Sequence, residues 1–348
     1  MIVGMESNYI TDRIKKLILE YKIGGVILYR KNFNTYQDLL KLVKDLQELN
    51  SVNKVPLFIS IDQEGGRVNR MPKEIQNLPP ANKIANLKDI EIVNEAASIT
   101  GEILKKSGFN MNFAPVLDIK RFENKHAIGD RCFGDNVEDV CKYGISTMQK
   151  LQEQGVISVI KHFPGHGATK RDSHYMLPII NKKIEKLEKE DMKVFEEAIK
   201  SGADAIMVGH LQIKNVTGVY PASLSRKFIG NYLRKKYKYN GVVLTDDLKM
   251  KAIKFIYGSN LAIRKAFEAG NDIVVFRFNK KEEERAIEQI VKLVKENKIK
   301  QGRINRSVKR VLKLKEKYNL TDVKEFNGID VESINHRITR VREKVEQK

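Results

Sequence analysis

The 348-residue chain contains no tryptophan and only two cysteines, Cys132 and Cys141. Two cysteines cannot build a disulfide framework or a cysteine-based zinc site, so we expect a reduced, cytoplasmic protein. No apolar run is long enough to cross a membrane, and no basic segment with a long apolar run opens the chain. These absences argue against a membrane span and a signal peptide. An exported protein whose signal has been removed is the alternative.

Two ligand-binding motifs are also missing. No GxGxxG follows an early apolar run, which argues against a dinucleotide-binding open sheet. No HExxH is present, and His162 and His166 lie beside Pro164, Gly165 and Gly167, which exclude a regular helix with both histidines on one face. We therefore expect no metal ion and no other cofactor.

The charge is unbalanced, with 64 Lys and Arg against 44 Asp and Glu and a formal net charge of +20. Such an excess favours anionic partners non-specifically. The basic residues are spread along helix-like segments and form no single tract, which is typical of solvated helix faces. We expect no nucleic-acid partner.

Eight short, β-branched apolar runs alternate with longer amphipathic segments. Near-continuous apolar runs are typical of parallel strands covered on both faces. Eight strand–helix repeats in about 300 residues predict a single-domain (β/α)8 barrel of the TIM type, with a doubly wound open sheet as the alternative. We expect the barrel to span residues 1–320 and a polar, helical tail to span 321–348. The apolar runs are 1–5, 24–29, 56–62, 110–118, 156–163, 204–211, 241–247 and 272–276.

Ionisable residues close five of these eight runs. Charged side chains are costly inside buried strands, and the carboxyl ends of barrel strands form the active-site face. A strand boundary alone explains one such residue better than it explains five. The residues are Asp62, Asp118, Lys161 with His162, His210, and Asp246 with Asp247.

Two pairs in these regions carry acid–base chemistry. Asp172 and His174 are two apart in the segment after the fifth run, where a carboxylate can orient an imidazole and raise its basicity. A turn with an exposed histidine fits the same spacing. Asp246 and Asp247 are adjacent, so on a strand only one would point into the barrel mouth, and periodicity does not choose between them.

Residues 161–174 (KHFPGHGATKRDSH) resemble the signature loop of glycoside hydrolase family 3, in its β-N-acetylglucosaminidase (NagZ-type) branch. The similarity extends in order over roughly residues 20–320, and several independent motifs are stronger evidence than one. The other similar segments are GGVILY, IDQEGGRVNRM, GFNMNFAPVLDI, GDRCFG, DAIMVGHL, YPASLS and GVVLTDDLKM.

The resemblance implies a (β/α)8 barrel and a retaining, two-step mechanism. A carboxylate forms a covalent glycosyl-enzyme, which water then hydrolyses. By motif, Asp246 corresponds to the nucleophile, and His174 corresponds to the general acid/base with Asp172 as its partner. An imidazole that titrates near neutrality can both donate and accept a proton.

The resemblance also implies which residues hold the saccharide. Charged groups make strong hydrogen bonds to hydroxyls in a water-poor pocket. Asp118 and His210 are expected to support that pocket. The residues expected to contact the sugar hydroxyls and the N-acetyl group are Asp62, Arg70, Arg131, Lys161 and His162.

The activity implied is that of an exo-acting β-N-acetylglucosaminidase that removes terminal β-linked N-acetylglucosamine from peptidoglycan muropeptides. A glycosyl phosphorylase or a β-glucosidase on the same fold is the alternative, since a histidine acid/base does not repel phosphate. We expect a monomer whose partner is a small saccharide. The chain departs from the family where Cys132 replaces a usual serine, and residues 333–348 resemble the start of a second domain in larger members.

Overall fold

Ten strands form in the computed structural model, which describes residues 1–121, 128–169, 177–213, 216–277, 282–322 and 326–347. The strands are β1 Ile2–Gly4, β2 Gly25–Leu28, β3 Phe58–Ile61, β4 Met111–Asn112, β5 Ile157–Phe163, β6 Ile179–Ile180, β7 Ala205–Val208, β8 Gln212–Ile213, β9 Val242–Asp247 and β10 Ile273–Phe276. Eight of them close into a parallel barrel in the order β1-β10-β9-β7-β5-β4-β3-β2. The predicted (β/α)8 barrel is confirmed, and each predicted apolar run contributes one barrel strand.

Two details of the sheet were not predicted. The run at 110–118 pairs as a strand only over its first residues, because Pro115 has no N–H to donate. Beyond it the Leu117 N–H still donates to the Lys161 carbonyl at 2.7 Å. The strands β6 and β8 pair with each other in parallel outside the barrel.

Helices surround the barrel and follow the amphipathic segments. Side-chain caps start several of them, as where Thr35 accepts from the Asp38 N–H at 3.1 Å and Asp38 reaches back to the Thr35 N–H at 2.9 Å. In the described part of the chain, no helix is long and apolar enough to cross a bilayer. The helices are α1 Asp12–Leu19, α2 Tyr36–Asn50, α3 Ala81–Ala85, α4 Ile90–Lys106, α5 Val137–Asp139, α6 Ile145–Glu153, α7 Ile184–Lys189, α8 Asp191–Lys200, α9 Arg226–Phe228, α10 Lys251–Ala269, α11 Glu282–Lys295, α12 Gln301–Lys317 and α13 Val331–Glu346.

The inside of the barrel is filled by apolar side chains such as Phe58, Met111 and Leu244, so it is a core and not a channel. Helix α12 contributes to this core at the amino ends of the strands, through Leu314. Next to it, buried Lys315 donates to the Gly24 carbonyl at 3.0 Å. The barrel interior is therefore closed at the amino ends of the strands, and the carboxyl ends are the place to look for an active site.

The C-terminal segment packs against the barrel helices. Helix α13 buries Ile334 and Ile338 in the main hydrophobic core, and it contacts α4. On its charged side Arg337 forms ion pairs with Glu95 at 2.8 Å and with Glu102 at 2.6 Å. The alternation of apolar and charged residues in this helix thus reflects one buried face and one ion-paired face.

Candidate active site

A cavity of about 620 Å³ lies at the carboxyl ends of the barrel strands. Five of the residues that border it end a strand or directly follow one: Tyr29 follows β2, Asp62 follows β3, Asp246 and Asp247 end β9, and Arg277 follows β10. This is the face where (β/α)8 barrels place their chemistry. Of the predicted residues, the cavity unites Asp62 and Asp246, and it also includes Arg70.

A buried ionic network lies beside this cavity. The Lys161 Nζ donates to Asp62 at 2.7 Å and lies 2.6 Å from a Glu64 oxygen. The Arg131 guanidinium donates to both Glu64 oxygens, at 2.7 and 2.8 Å. Glu64 thus joins three of the predicted sugar-binding residues into one unit, although it was not itself predicted.

The charges of this network hold one another in the ionised state. Burial acts to raise the pKa of Glu64, but the charges of Arg131 and Lys161 outweigh it and hold the pKa well below its usual range. Burial likewise acts to lower the pKa of Lys161, and Asp62 and Glu64 raise it above its usual value. Charge-assisted hydrogen bonds of this kind are short and directional. The network therefore presents Lys161 and Asp62 in fixed positions.

A sequence signal for Glu64 existed. It lies two residues after Asp62 in the quoted segment IDQEGG, and residues two apart share a side of an extended chain. Its partner Arg131 lies far from Glu64 in the sequence, so residue spacing alone could not predict their contact.

A second buried pair involves His162. The His162 Nδ1 lies 2.7 Å from an Asp118 oxygen, and the His166 backbone N–H donates to the other oxygen at 2.6 Å. Burial acts to raise the pKa of Asp118, but the interaction with His162 holds it below its usual value. The pair fixes the orientation of the His162 imidazole. It also ties His166, at the start of the turn after β5, to the same carboxylate.

His210 is fully buried and supports the end of β9. Its Nδ1 lies 2.7 Å from the Ser223 hydroxyl oxygen, and its Nε2 lies 3.0 Å from the Asp247 carbonyl oxygen. The imidazole therefore holds the backbone next to Asp246 without itself bordering the cavity. Ser223 was not predicted to take part.

The two adjacent carboxylates of β9 both border the cavity, so strand alternation did not separate them as expected. The strand ends at this point, and both residues line the cavity. Their hydrogen bonds differ, because Asp247 accepts from the Lys249 N–H at 3.0 Å and from the Arg277 N–H at 2.9 Å. Burial raises the pKa of Asp247 to about 6 despite these bonds, and the charge of Asp246 adds to the rise. Because its carboxylate accepts from two backbone N–H groups, Asp247 stabilises the segments that follow β9 and β10.

Arg70 presents a donor at the cavity. Its backbone N–H donates to the Gln63 side chain at 2.7 Å, while its buried Nε has no hydrogen-bond partner among the described residues. Buried donors are rarely left unpaired. This nitrogen is therefore suited to a ligand oxygen.

The predicted acid/base pair, Asp172 and His174, lies outside the residues that the structure describes, so its role stays a prediction. Within the described ranges, no three His, Cys, Asp or Glu side chains group closely enough to hold a metal ion.

The barrel carries carboxylates, a buried lysine and an oriented imidazole at the carboxyl ends of its strands. This arrangement is typical of a barrel enzyme that acts on a polar ligand. The family model described as "Glycosyl hydrolase family 3 N terminal domain" matches residues 2–314. The chain belongs to this family of glycoside hydrolases, which act on O-glycosyl bonds.

Two similar curated proteins are both named as beta-hexosaminidases. The chain is 33% identical over 329 residues to beta-hexosaminidase A of Pseudoalteromonas piscicida, in an alignment that covers 87% of this chain and 55% of that protein. It is 32% identical over 281 residues to beta-hexosaminidase of Xylella fastidiosa (strain M23), covering 79% and 82%. The chain thus spans about half the length of the first relative and most of the second.

Solved structures agree in fold. A glycoside hydrolase family 3 beta-N-acetylglucosaminidase from Paenibacillus sp. str. FPU-7 superposes with a TM-score of 0.93 at 34% identity, covering 99% of this chain and 67% of that one. NagZ from Neisseria gonorrhoeae, in complex with N-trifluoroacetyl-D-glucosamine, superposes with a TM-score of 0.77 at 25% identity, covering 98% and 97%.

Proposed function

We propose that the chain is a retaining, exo-acting β-N-acetylglucosaminidase that hydrolyses terminal β-linked N-acetylglucosamine. The observation that carries this proposal is the cavity in which Asp246 borders the same space as Asp62, whose carboxylate is held by buried Lys161. A carboxylate beside a fixed set of sugar-binding groups is what covalent glycoside hydrolysis requires. The names of the similar curated proteins and solved structures support the choice of sugar.

In the proposed first step the Asp246 carboxylate attacks the anomeric carbon, and the bond to the leaving oxygen breaks. His174, oriented by Asp172, donates its proton to that oxygen. In the second step His174 takes a proton from water, which attacks the same carbon and releases Asp246. Lys161 and Asp62 bind the sugar hydroxyls throughout, so the reacting atoms stay aligned.

We further propose that the natural substrates are peptidoglycan muropeptides and that the enzyme works in the cytoplasm. Several Lys and Arg side chains border the mouth beside the carboxylates, and muropeptides carry carboxylates that such a rim would attract. Both cysteines are free thiols, which is consistent with a reducing compartment. Hydrolysis of purified muropeptides, followed by mass spectrometry, tests the substrate directly.

Trapping the intermediate tests the nucleophile. Incubation with a 2- or 5-fluoro N-acetylglucosamine-type inactivator and peptide mapping should place the label on Asp246. The Asp246→Asn variant should lose at least about a thousandfold in kcat, while Asp45→Asn, an exposed carboxylate paired with Lys41, should keep full activity. Labelling at another residue, or none in an enzyme that is inactivated, contradicts the assignment.

Leaving-group dependence tests the acid. The His174→Ala variant should be slowed most on substrates with poor leaving groups, because these need the proton most. An equal loss across all leaving groups argues against His174. Parallel assays on nitrophenyl N-acetylglucosaminide, glucoside and xyloside, each with and without phosphate, separate the proposed activity from a glucosidase and from a phosphorylase.

A further inference from the structure

A second cavity, of about 330 Å³, lies on the face of the barrel opposite the mouth. It adjoins the amino ends of β9 and β10. Seven of its twelve lining residues are Arg or Lys, and one, Glu268, is acidic. Glu268 already pairs with Lys265 at 2.8 Å, so the pocket itself is strongly basic.

Three arginines of this pocket share one buried carboxylate. Asp272, which is fully buried, accepts from Arg234 at 2.6 Å and from Arg310 at 3.2 Å, and an Arg303 nitrogen lies 3.6 Å away. The side chains of the three arginines are only 14–24% exposed. One negative charge therefore faces three positive charges that are largely shielded from water, which leaves an excess of two.

This excess of positive charge is electrostatically unfavourable. Burial lowers the pKa of both Arg234 and Arg303; Asp272 opposes the shift, and the charge of Arg310 adds to it. Like charges repel strongly where water is partly excluded. Backbone carbonyls nevertheless hold two of the guanidinium groups in place. Arg303 donates to Phe267 at 3.1 Å and to Asn271 at 2.6 Å, and Arg234 donates to Tyr239 at 2.8 Å and to Gly241 at 2.9 Å.

Three further cations line the pocket, and the described part of the chain offers none of them an acidic partner. Arg226, Lys300 and Arg306 are exposed, and no acidic side chain pairs with them within the described ranges. Lys300 precedes the first turn of α12, which contains no acidic residue. Lys298, by contrast, pairs with Glu296 at 2.8 Å and does not add to the free charge.

We propose that this pocket binds an anion that carries two or more phosphate groups. Guanidinium groups match phosphate oxygens in shape and bind them through paired N–H donors. A terminal phosphate group carries at most roughly two negative charges at neutral pH, and a phosphodiester carries one. A single group therefore cannot offset the excess of two positive charges around Asp272 together with the three exposed cations. The volume is near the lower limit for small-molecule sites, about 300 Å³. The same chemistry is offered by a short soluble polyphosphate and by clustered phosphate headgroups at an anionic membrane surface.

The test compares two double variants of the full chain. Arg226→Gln with Arg306→Gln removes two pocket cations, whereas Lys309→Gln with Lys313→Gln removes two exposed cations of α12 that do not line the pocket. Calorimetric titration with sodium tripolyphosphate at constant ionic strength measures binding of a soluble polyphosphate. Co-sedimentation with vesicles of phosphatidylglycerol, and of phosphatidylcholine as control, measures binding to phosphate headgroups at an anionic membrane surface.

The variant Arg226→Gln with Arg306→Gln should bind at least about tenfold more weakly to whichever of the two probes binds the wild type, because it loses hydrogen bonds to a charged group. The control variant should change by less than about twofold, as expected of solvated charges. Binding of tripolyphosphate or of phosphatidylglycerol vesicles with this pattern supports the proposal and identifies the source. Equal weakening in both variants means that net charge alone acts, and it overturns the proposal, as does the absence of saturable binding in both arms. Hydrolysis of nitrophenyl N-acetylglucosaminide should be unchanged in both variants, so the outcome does not depend on the proposed function.

Discussion

The Glu64→Gln substitution keeps the shape of a buried side chain and removes its charge. Glu64 is only 5% exposed in its side chain, and it bonds to both Arg131, at 2.7 and 2.8 Å, and Lys161, at 2.6 Å. In the variant these two cations would lose the carboxylate that they share, and one end of the new amide would direct N–H donors toward them. We therefore expect both a loss of stability and a displacement of the sugar-binding groups.

The size of the loss follows from these contacts. Removing one partner of a buried ion pair costs about 3–5 kcal/mol, and the acceptor oxygen that glutamine keeps recovers about 1 kcal/mol. A net loss of about 3 kcal/mol is expected. With an unfolding entropy of about 2.1 cal/mol/K per residue, the 348 residues give about 0.7 kcal/mol/K. The melting temperature should then fall by about 4 °C.

The loss should depend on pH in one direction. The pKa of Glu64 is lowered in the folded state from its usual value of 4.5, so the carboxylate stabilises the fold above that value. Below it the unfolded state takes up the proton first, and the stabilisation declines as the pH falls. The difference in melting temperature between wild type and variant should be constant from neutrality down to about pH 5 and should shrink below that.

Thermal melts across this pH range and steady-state kinetics on nitrophenyl N-acetylglucosaminide measure both effects. KM should rise more than kcat falls, because Lys161 and Arg131 are proposed to bind the sugar both before and during the reaction. The matched control is Glu153→Gln, whose side chain is 58% exposed and pairs with Lys150, and which should cost less than about 1 kcal/mol. A Glu64→Gln variant that melts within about 1 °C of wild type with an unchanged KM would refute the reasoning.

Two other substitutions test neighbouring features of the site. Asp118→Asn should lower the free energy of unfolding by about 2–4 kcal/mol. It should also lower kcat/KM, because the His162 imidazole loses the carboxylate that orients it. Thermal melts and steady-state kinetics measure these effects, and unchanged kinetics would argue against an orienting role. Gly167→Ala should destabilise the turn after β5 by more than about 3 kcal/mol, because the new Cβ would overlap the Ile119 carbonyl oxygen, whereas Gly230→Ala, with nothing within 4 Å of its Cβ, serves as the control. Equal melting temperatures for these two glycine variants would contradict the close approach of Gly167 to Ile119.

The strands could be predicted because the information is local. Each buried parallel strand is an apolar run, and Asp62 and Asp246, which close two of these runs, border the cavity at the barrel mouth. The role of Glu64 could not be predicted in the same way. It depends on bringing the end of β3 beside the segment around Arg131, and the distance between these in space is set by the closed barrel.

Local patterns also misjudged some elements. Strand alternation predicted that only one of Asp246 and Asp247 faces the mouth, but alternation does not apply at the last residues of a strand, where both sides open to the cavity. The basic pocket around Asp272 was hidden for a similar reason. Arg303 and Arg310 lie on α12, whereas Arg234 lies about 70 residues earlier in the chain, and in the sequence each one resembles an ordinary solvated charge.

The ionic network at the mouth has a mechanical consequence. In the barrel order, β4 lies between β3 and β5, so the bonds from Lys161 on β5 to Asp62 and Glu64 after β3 connect strands that share no backbone hydrogen bonds. The width of the mouth at this point is therefore set by side chains as well as by the sheet. A sugar that enters meets donors and acceptors whose spacing was fixed during folding, so little ordering of the protein remains to oppose binding. Variants that cut this cross-link should widen the range of sugars accepted as well as weaken binding.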